Sequence, residues 1–225
     1  MTEILTSAQM RAVERAAIES GAVSGAQLMD RAGAGVVAAV FQTWPELAQA
    51  PCRAVALCGP GNNGGDGFVV ARLLRDLGWT VAVHLFGDPD ALTPDAGANY
   101  RRWQAMGETV ALEELQADTL ADAALVVDAL FGTGLTRPLD APVFQRLARM
   151  LDGDRPRVVA VDIPSGLSAD TGLPPAGGTV IPADLTVTFH RPKRGHVMAR
   201  GPQLCAQLVV ADIGLGPWDH VADGA

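Results

Sequence analysis

Lysine is almost missing from this chain: of 17 basic residues, Lys193 is the only lysine, and 25 acidic residues bring the formal charge to -8. No basic run is long enough to neutralise a phosphate backbone, so nucleic acid is not an expected partner. Cysteine is scarce as well. Cys52, Cys58 and Cys205 are odd in number and lack metal-ligand spacing, which excludes a disulfide framework and a zinc site and reads as buried thiols in a reducing compartment. The apolar runs fall short of the ~20 residues that cross a bilayer, and the start, Met1-Thr2-Glu3-Ile4-Leu5-Thr6, has no basic segment followed by an apolar one. A cytoplasmic protein with no membrane partner is expected. What is present is 225 residues, 48% hydrophobic, with 25 Gly and 15 Pro, enough for one ordinary globular domain or two small ones. A chain this long buries about 70% of its unfolded surface and needs no covalent staples.

Thr6 with Gln9 and Ser24 with Gln27 have capping-box spacing, which predicts two N-terminal helices. The first aligns Met10, Val13 and Ala17 and stops near Gly21; the second runs from about Gly25 to Trp44 with Leu28, Ala32, Val36 and Val40 on one stripe. After Pro51, short apolar runs alternate with helical periods, the pattern of βαβ units. Strands are expected at 53–58, 80–86, 124–130, 158–163, 184–189 and 207–211, with helices at 66–77, 94–106 (capped by Thr93) and 142–151. Several strands are apolar throughout, so both sheet faces should be covered by helices. The expectation is a Rossmann-like three-layer αβα sandwich of the α/β class, with a mostly parallel central sheet. Residues 214–225 read as a frayed end.

In such a sheet ligands bind beyond the carboxyl ends of the strands. The first strand runs into a loop, 59–67, in which Gly59, Gly61 and Gly64 satisfy G-x-G-x-x-G, and Asp88 after the second strand stands where a ribose-binding acid belongs. That pattern alone suggests a dehydrogenase. Against it, Asp66 at the start of the next helix would repel a pyrophosphate, and Pro60 and the paired Asn62 and Asn63 suit a bare glycine turn poorly. A P-loop lacks its Lys-Ser/Thr.

Asp128 and Asp162 each end a predicted central strand, and two carboxylates in one crevice need a cation or a shared proton. Oxygen donors from Asn63, Asp128 and Ser165 suit a hard ion, and the spacing leaves Mg²⁺ and a monovalent ion both open; no His or Cys favours a transition metal. Gly132, Thr133 and Gly134, followed by Thr136 and Arg137, offer backbone donors, hydroxyls and a guanidinium as a phosphate cradle. The segment 189–196 brings Lys193 to the same edge.

These residues resemble a known family, the NAD(P)H-hydrate epimerases or YjeF N-terminal-domain proteins. Four blocks carry the likeness: residues 27–33 (QLMDRAG), 59–67, 127–138, and 161–166 with Asp170-Thr171-Gly172 beyond. Residues 188–195 and 210–214 agree with the family's ending, so the likeness covers about 4–216, a single domain over 1–216 with 217–225 as tail. Asp30 stands where the family would lead one to expect glutamate. The resemblance implies an isomerase that interconverts the R and S epimers of hydrated NADH and NADPH, with K⁺ near the substrate. It makes Asn62, Asn63, Gly64, Gly65 and Asp66, with Gly132, Thr133, Gly134, Leu135, Thr136, Arg137 and Pro138, substrate-binding loops, and Asp162 a further substrate contact. Asn63, Asp128 and Ser165 become the K⁺ site.

Many relatives of this kind are fused to a dehydratase domain, and this chain ends before one could begin. Epimerisation without dehydration and functional pairing with a separate dehydratase are therefore expected, and the resemblance together with the amphipathic N-terminal helices implies a homodimer. Chemically, loss of the ring hydroxyl as water and readdition from the other face requires a general acid and its conjugate base. Asp162 is the candidate, with Lys193 as runner-up or charge partner. The rival of another class is a non-catalytic nucleotide- or protein-binding module, which would not need those acids to converge.

Overall fold

The computed structural model describes residues 4–153 and 155–224. Seven strands form one sheet: β1 Arg53–Cys58, β2 Thr80–Leu85, β3 Thr109–Ala111, β4 Leu125–Ala129, β5 Arg157–Val161, β6 Leu185–Phe189 and β7 Gln207–Ala211. Their order is β3-β2-β1-β4-β5-β6-β7, and every neighbouring pair is parallel rather than most of them. The chain reverses its direction of travel across the sheet between β1 and β4, which opens a crevice where their carboxyl ends diverge.

Apolar residues on both strand faces produce the layers. On β1, Ala54, Ala56 and Cys58 join one core while Val55 and Leu57 join the other; on β4, Leu125, Val127 and Ala129 alternate with Val126 in the same way. The first core is closed by α1 Ser7–Glu19, α2 Gly25–Thr43, α3 Asn62–Asp76 and α4 Pro94–Gln104; the second by α5 Ala117–Ala121 and α6 Pro142–Met150. Two one-turn helices, α7 Arg194–Val197 and α8 Gly201–Leu204, lie between β6 and β7. Both expected capping boxes form, at Thr6 with Gln9 and at Ser24 with Gln27.

The departures have physical causes. β3 is three residues long and not buried, too short to show a period. Helix α3 begins four residues before the expected Asp66, because the 62–65 segment supplies its first turn without any side-chain cap. Thr93 precedes α4 but makes no cap; its hydroxyl donates to Asn62 Oδ1 at 2.6 Å, tying α4 to the start of α3. The end is not frayed. Residues 216–224 form a 3-10 turn against α1, with Ala222 buried, Gln9 Nε2 donating to Ala222 O (2.9 Å), and Asp219 meeting His190 (2.7 Å) and Arg191.

Residues 27–33 are a docking surface. Met29 packs on Gly65, Asp30 pairs with Arg72 (3.2 Å), Arg31 Nη1 donates to Ile213 O (2.9 Å), and Gly33 faces Val69, where a Cβ would sit 2.4 Å from Val69 Cγ1. The substitution Gly33→Ala overpacks the α2–α3 contact and should cost about 1–3 kcal/mol. For a domain of this size that is a fall of roughly 2–4 °C in melting temperature per kcal/mol, read by thermal denaturation; an unchanged melting point would show that the helices slide apart at no cost.

Candidate active site

β5 and β6 end alike. Asp162 (φ 67°) is spanned by a hydrogen bond from Ile163 N to Val161 O at 2.9 Å, and His190 (φ 65°) by one from Arg191 N to Phe189 O at 2.7 Å. A positive φ under an i to i+2 bond is a strained γ-turn, and aspartate is among the few side chains that tolerate this region. Strain of this kind persists where surrounding contacts over-determine it. Here the Asp162 amide is also held by Val187 O (2.8 Å) and the His190 amide by Ala211 O (2.8 Å), each across to the next strand.

The Asp162 carboxylate is buried and fully engaged. Oδ1 accepts from Lys193 Nζ (3.0 Å) and Thr188 Oγ1 (2.9 Å), and Oδ2 from Thr133 N (3.1 Å). Burial alone would raise its pKa. The charge of Lys193 and the hydrogen bonds from Lys193 and Thr188 outweigh burial and hold it below the ordinary carboxylate value. Lys193 is 1% exposed and uses all three ammonium hydrogens, on Asp162, on Thr188 Oγ1 (2.8 Å) and on Phe189 O (3.0 Å).

The backbone beneath this pair is clamped. Leu5 pairs with Lys193 as a parallel bridge, its N–H donating to Pro192 O (2.9 Å) and its carbonyl accepting from Arg194 N (3.0 Å). Buried His196 accepts the Lys193 N–H at Nδ1 (2.9 Å), which places its own hydrogen on Nε2, 2.9 Å from the Asp162 carbonyl. One imidazole thus ties together the backbones of both charged residues. Burial lowers its pKa, so the ring stays neutral in that role.

Asp128, entirely buried, lies beside this pair through the turn that follows β4. Its carboxylate accepts from Ser165 Oγ (2.6 Å), Ser165 N (2.8 Å) and Leu130 N (3.3 Å), while Ser165 Oγ accepts from Phe131 N (2.9 Å). Burial pushes Asp128 up to about 6 despite those bonds, and no cationic side chain compensates it. Next in the chain, Gly132 is wedged between Asn63 and Asp162: a Cβ there would lie 2.9 Å from Asn63 Oδ1 and 3.1 Å from Asp162 Oδ2. The 131–133 turn therefore brings Asn63, Asp128, Asp162 and Ser165 into one place, as the spacing argument required. Among the described residues no three His, Cys, Asp or Glu gather as a metal cluster. The available donors are instead mixed carboxylate, amide, hydroxyl and carbonyl oxygens, a set that suits a hard cation.

Asn62, Asn63, Gly64 and Gly65 are the first turn of α3, where early N–H groups lack intrahelical partners and are free to face an anion. Gly64 and Gly65 are there for close approach, since a Cβ on Gly64 would meet Gly59 O at 1.9 Å and one on Gly65 Met29 Sδ at 2.4 Å. Asp66 is not at the helix start but one turn inside. Burial, then the negative charges of Asp162 and Glu14, push its carboxyl well above the usual carboxylate range. Asp88 caps the short turn after β2, accepting from Asp90 N at 2.9 Å. Within the other loop Thr133 N–H is committed to Asp162, Leu135 packs into the second core, Pro138 is half-buried against Gly178, and Gly134, Thr136 and Arg137 stay exposed at the rim. The expected cradle is thus only partly assembled.

Two contributors were not legible in the sequence. Thr188 read only as a strand residue, and His196 only as part of a basic segment. The strand alternation that turns Thr188 to the Asp162 side was the one available signal.

The chain was compared with known proteins. A family described as YjeF-related protein N-terminus matches residues 25–195. The chain belongs to the YjeF N-terminal family. Curated relatives named NAD(P)H-hydrate epimerase, from Rhodobacter capsulatus and Roseobacter litoralis, are 51% and 46% identical, each alignment covering 96% of this chain and 100% of the relative. A bifunctional NAD(P)H-hydrate repair enzyme of Thermofilum pendens is 40% identical over 91% of this chain and 39% of its own length. The crystal structure of yeast ynu0 has the same fold, with a TM-score of 0.72 at 23% identity over 92% of this chain and 87% of that one. In this YjeF N-terminal domain the loops after β4, β5 and β6 meet around Asp162.

Replacing Lys193 by methionine leaves that carboxylate buried without its cation. Breaking a buried pair from one side costs about 3–5 kcal/mol, measurable by denaturant unfolding at pH 7. Because the folded pKa of Asp162 is depressed, the pair's stabilisation is present above the unfolded carboxylate pKa and is lost as the pH falls through the folded value. The deficit of K193M should therefore shrink in acid; a deficit equal at every pH would mean lost packing rather than lost charge.

Proposed function

We infer that this protein is an NAD(P)H-hydrate epimerase, an isomerase that interconverts the R and S epimers of hydrated NADH and NADPH. The observation that carries the reading is the match along nearly the whole chain to curated epimerases at 46–51% identity, with an ionised, strained aspartate at the sheet edge to perform the chemistry.

The substrate carries a hydroxyl on the ring carbon beside the ring nitrogen. When that hydroxyl takes a proton from water or from Lys193 and leaves as water, the nitrogen lone pair stabilises the cation, and water adds to the opposite face. Asp162 acts as the base that takes the proton of the returning water, and Lys193 and Thr188 hold it ionised and aimed for that purpose. The first turn of α3, with Asn62, Asn63, Gly64 and Gly65, presents backbone donors to the substrate phosphates. Asp66, its carboxyl pushed well above the usual range by burial, stands one turn further along α3, and the rim from Gly132 to Pro138 closes the other side of the site.

K⁺ is the resident ion of this reading. Asn63, Asp128 and Ser165 fit it because Asp128 is a buried carboxylate with oxygen neighbours and no compensating cation. When bound, K⁺ would supply the positive charge that keeps this corner ionised beside the reacting ring. Cytoplasmic action suits three free thiols and the absence, among the described residues, of a helix long and apolar enough to cross a membrane. A homodimer completes the proposal, supported by exposed Leu173, Val197 and Met198, which lie together beside the Lys193 loop. A separate dehydratase is the functional partner, since the bifunctional repair enzymes carry the matching segment within a longer chain.

Incubating each purified epimer with the protein should drive both to the same mixture, read by chromatography. Asp162→Asn, which keeps a side chain suited to positive φ, should fold and bind substrate yet lose at least 100-fold in turnover. Failure of the wild type to exceed spontaneous interconversion would sink the reading. Exchanging choline chloride for KCl at equal ionic strength should raise the melting temperature of the wild type by a few degrees and leave that of Asp128→Asn unmoved; equal shifts in both would remove Asp128 from the K⁺ site.

A further inference from the structure

The Lys193 ammonium has three acceptors, and one of them is backbone. Beside Asp162 Oδ1 (3.0 Å) and Thr188 Oγ1 (2.8 Å) it donates to the carbonyl of Phe189 (3.0 Å). That carbonyl opens the γ-turn at the end of β6, and it already accepts the Arg191 N–H across the turn (2.7 Å). Where Phe189 O points is therefore set by His190, whose φ of 65° is a conformation that a residue with a Cβ keeps only under constraint. If His190 relaxed to negative φ, the peptide unit between 189 and 190 would turn. A buried ammonium hydrogen would then lose its partner.

The constraint comes from the other end of the chain. In the matching turn at Asp162 the carbonyl is held by His196 (2.9 Å), a residue of the Lys193 loop itself. At His190 the carbonyl accepts from Arg191 Nη1 (2.9 Å), and Nη2 of the same guanidinium donates to Asp219 Oδ2. Asp219 Oδ1 lies 2.7 Å from Nε2 of the buried His190 ring. One carboxylate thus grips the side chains of both residues that shape the turn. Burial, then the charge of Arg191, lowers the His190 pKa, so Arg191 is the ionic partner of Asp219 and the imidazole rests against the same carboxylate. The 216–224 turn that carries Asp219 is fastened by other means as well: Leu215 and Ala222 are buried, and Gln9 Nε2 donates to Ala222 O (2.9 Å). Changing the carboxylate therefore leaves the turn in place.

We propose that Asp219 is a positioning residue of the epimerisation: by gripping His190 and Arg191 it holds the turn whose Phe189 carbonyl sets the Lys193 ammonium against Asp162. The inference rests on the epimerase reading and deepens it. Asp219 acts through two intervening residues, so its loss reaches the substrate only as a misdirected Lys193 and a less firmly aimed Asp162. Phosphate binding at the first turn of α3 lies outside this chain of contacts. The effect belongs on turnover rather than on affinity.

The test measures kcat and KM with separated epimers for wild type, Asp219→Asn, Asp219→Glu, Arg191→Met, the double variant D219N/R191M and Ala222→Gly, together with their melting temperatures. D219N should lose about 10-fold or more in kcat with KM within about twofold, since a small misplacement of a reacting group is costly. R191M should lose a similar factor, and the double variant no more than the larger single loss, because both substitutions cut the same chain of contacts. D219E keeps the charge at a partly exposed position and should recover most of the rate. A222G loosens the same turn on α1 without altering the carboxylate; it should melt lower and keep its kcat. Wild-type kcat in D219N, a loss confined to KM, single losses that multiply in the double variant, a D219E as slow as D219N, or a lowered kcat in A222G would each overturn the positioning role while the epimerase reading stands. A wild type that does not epimerise would remove both. If D219N does not fold, a slowed R191M beside a fast D219E decides for the proposal, and wild-type kcat in R191M or a slow D219E decides against it.

Discussion

A buried ion pair between Asp162 and Lys193 organises this molecule's working edge. Neither charge is tolerable alone in that position, so each constrains what surrounds the other: Thr188 from β6, Thr133 from the turn after β4, and His196 bridging the two backbones. The pair also explains the strain. A non-glycine residue at positive φ is held at the end of β5 because its amide, carbonyl and carboxylate are all bonded to partners in neighbouring elements.

Around that pair the acids are sorted into different states by their environments. Asp162 is kept ionised by a cation and three donors; Asp128 is held by Ser165 yet lacks a cation; burial and like charge push Asp66 well above the usual carboxylate range. Environments that push carboxyl groups apart in this way are the means by which acid and base roles can be divided among residues of one type. The glycines serve the same end mechanically. Gly132 lets the turn after β4 pass between Asn63 and Asp162, and Gly64 lets the first turn of α3 lie against the backbone of Gly59.

The layering, the strand positions to within one or two residues, and both capped N-terminal helices were legible in the chain, because period-2 and period-3.6 patterns and capping boxes are local. So was the set of loops that meet. Less legible were the short edge strand β3, with too few residues to display a period, and the first turn of α3, where asparagine and glycine normally argue against helix. The C-terminal turn looked like a tail because its anchors, Gln9 and the His190–Arg191 step, are distant in sequence.

The order of residues along the chain determined the α/β class and the family, since each follows from patterns within a few residues or from blocks read in line. The tertiary structure alone decided which groups face one another and in what ionisation state. A charge's surroundings are assembled from segments far apart in sequence: Asp162 is set by residues 133, 188 and 193, which meet only when the ends of the strands are brought together. Burial and Coulomb energy depend on distance in space, which no local pattern encodes.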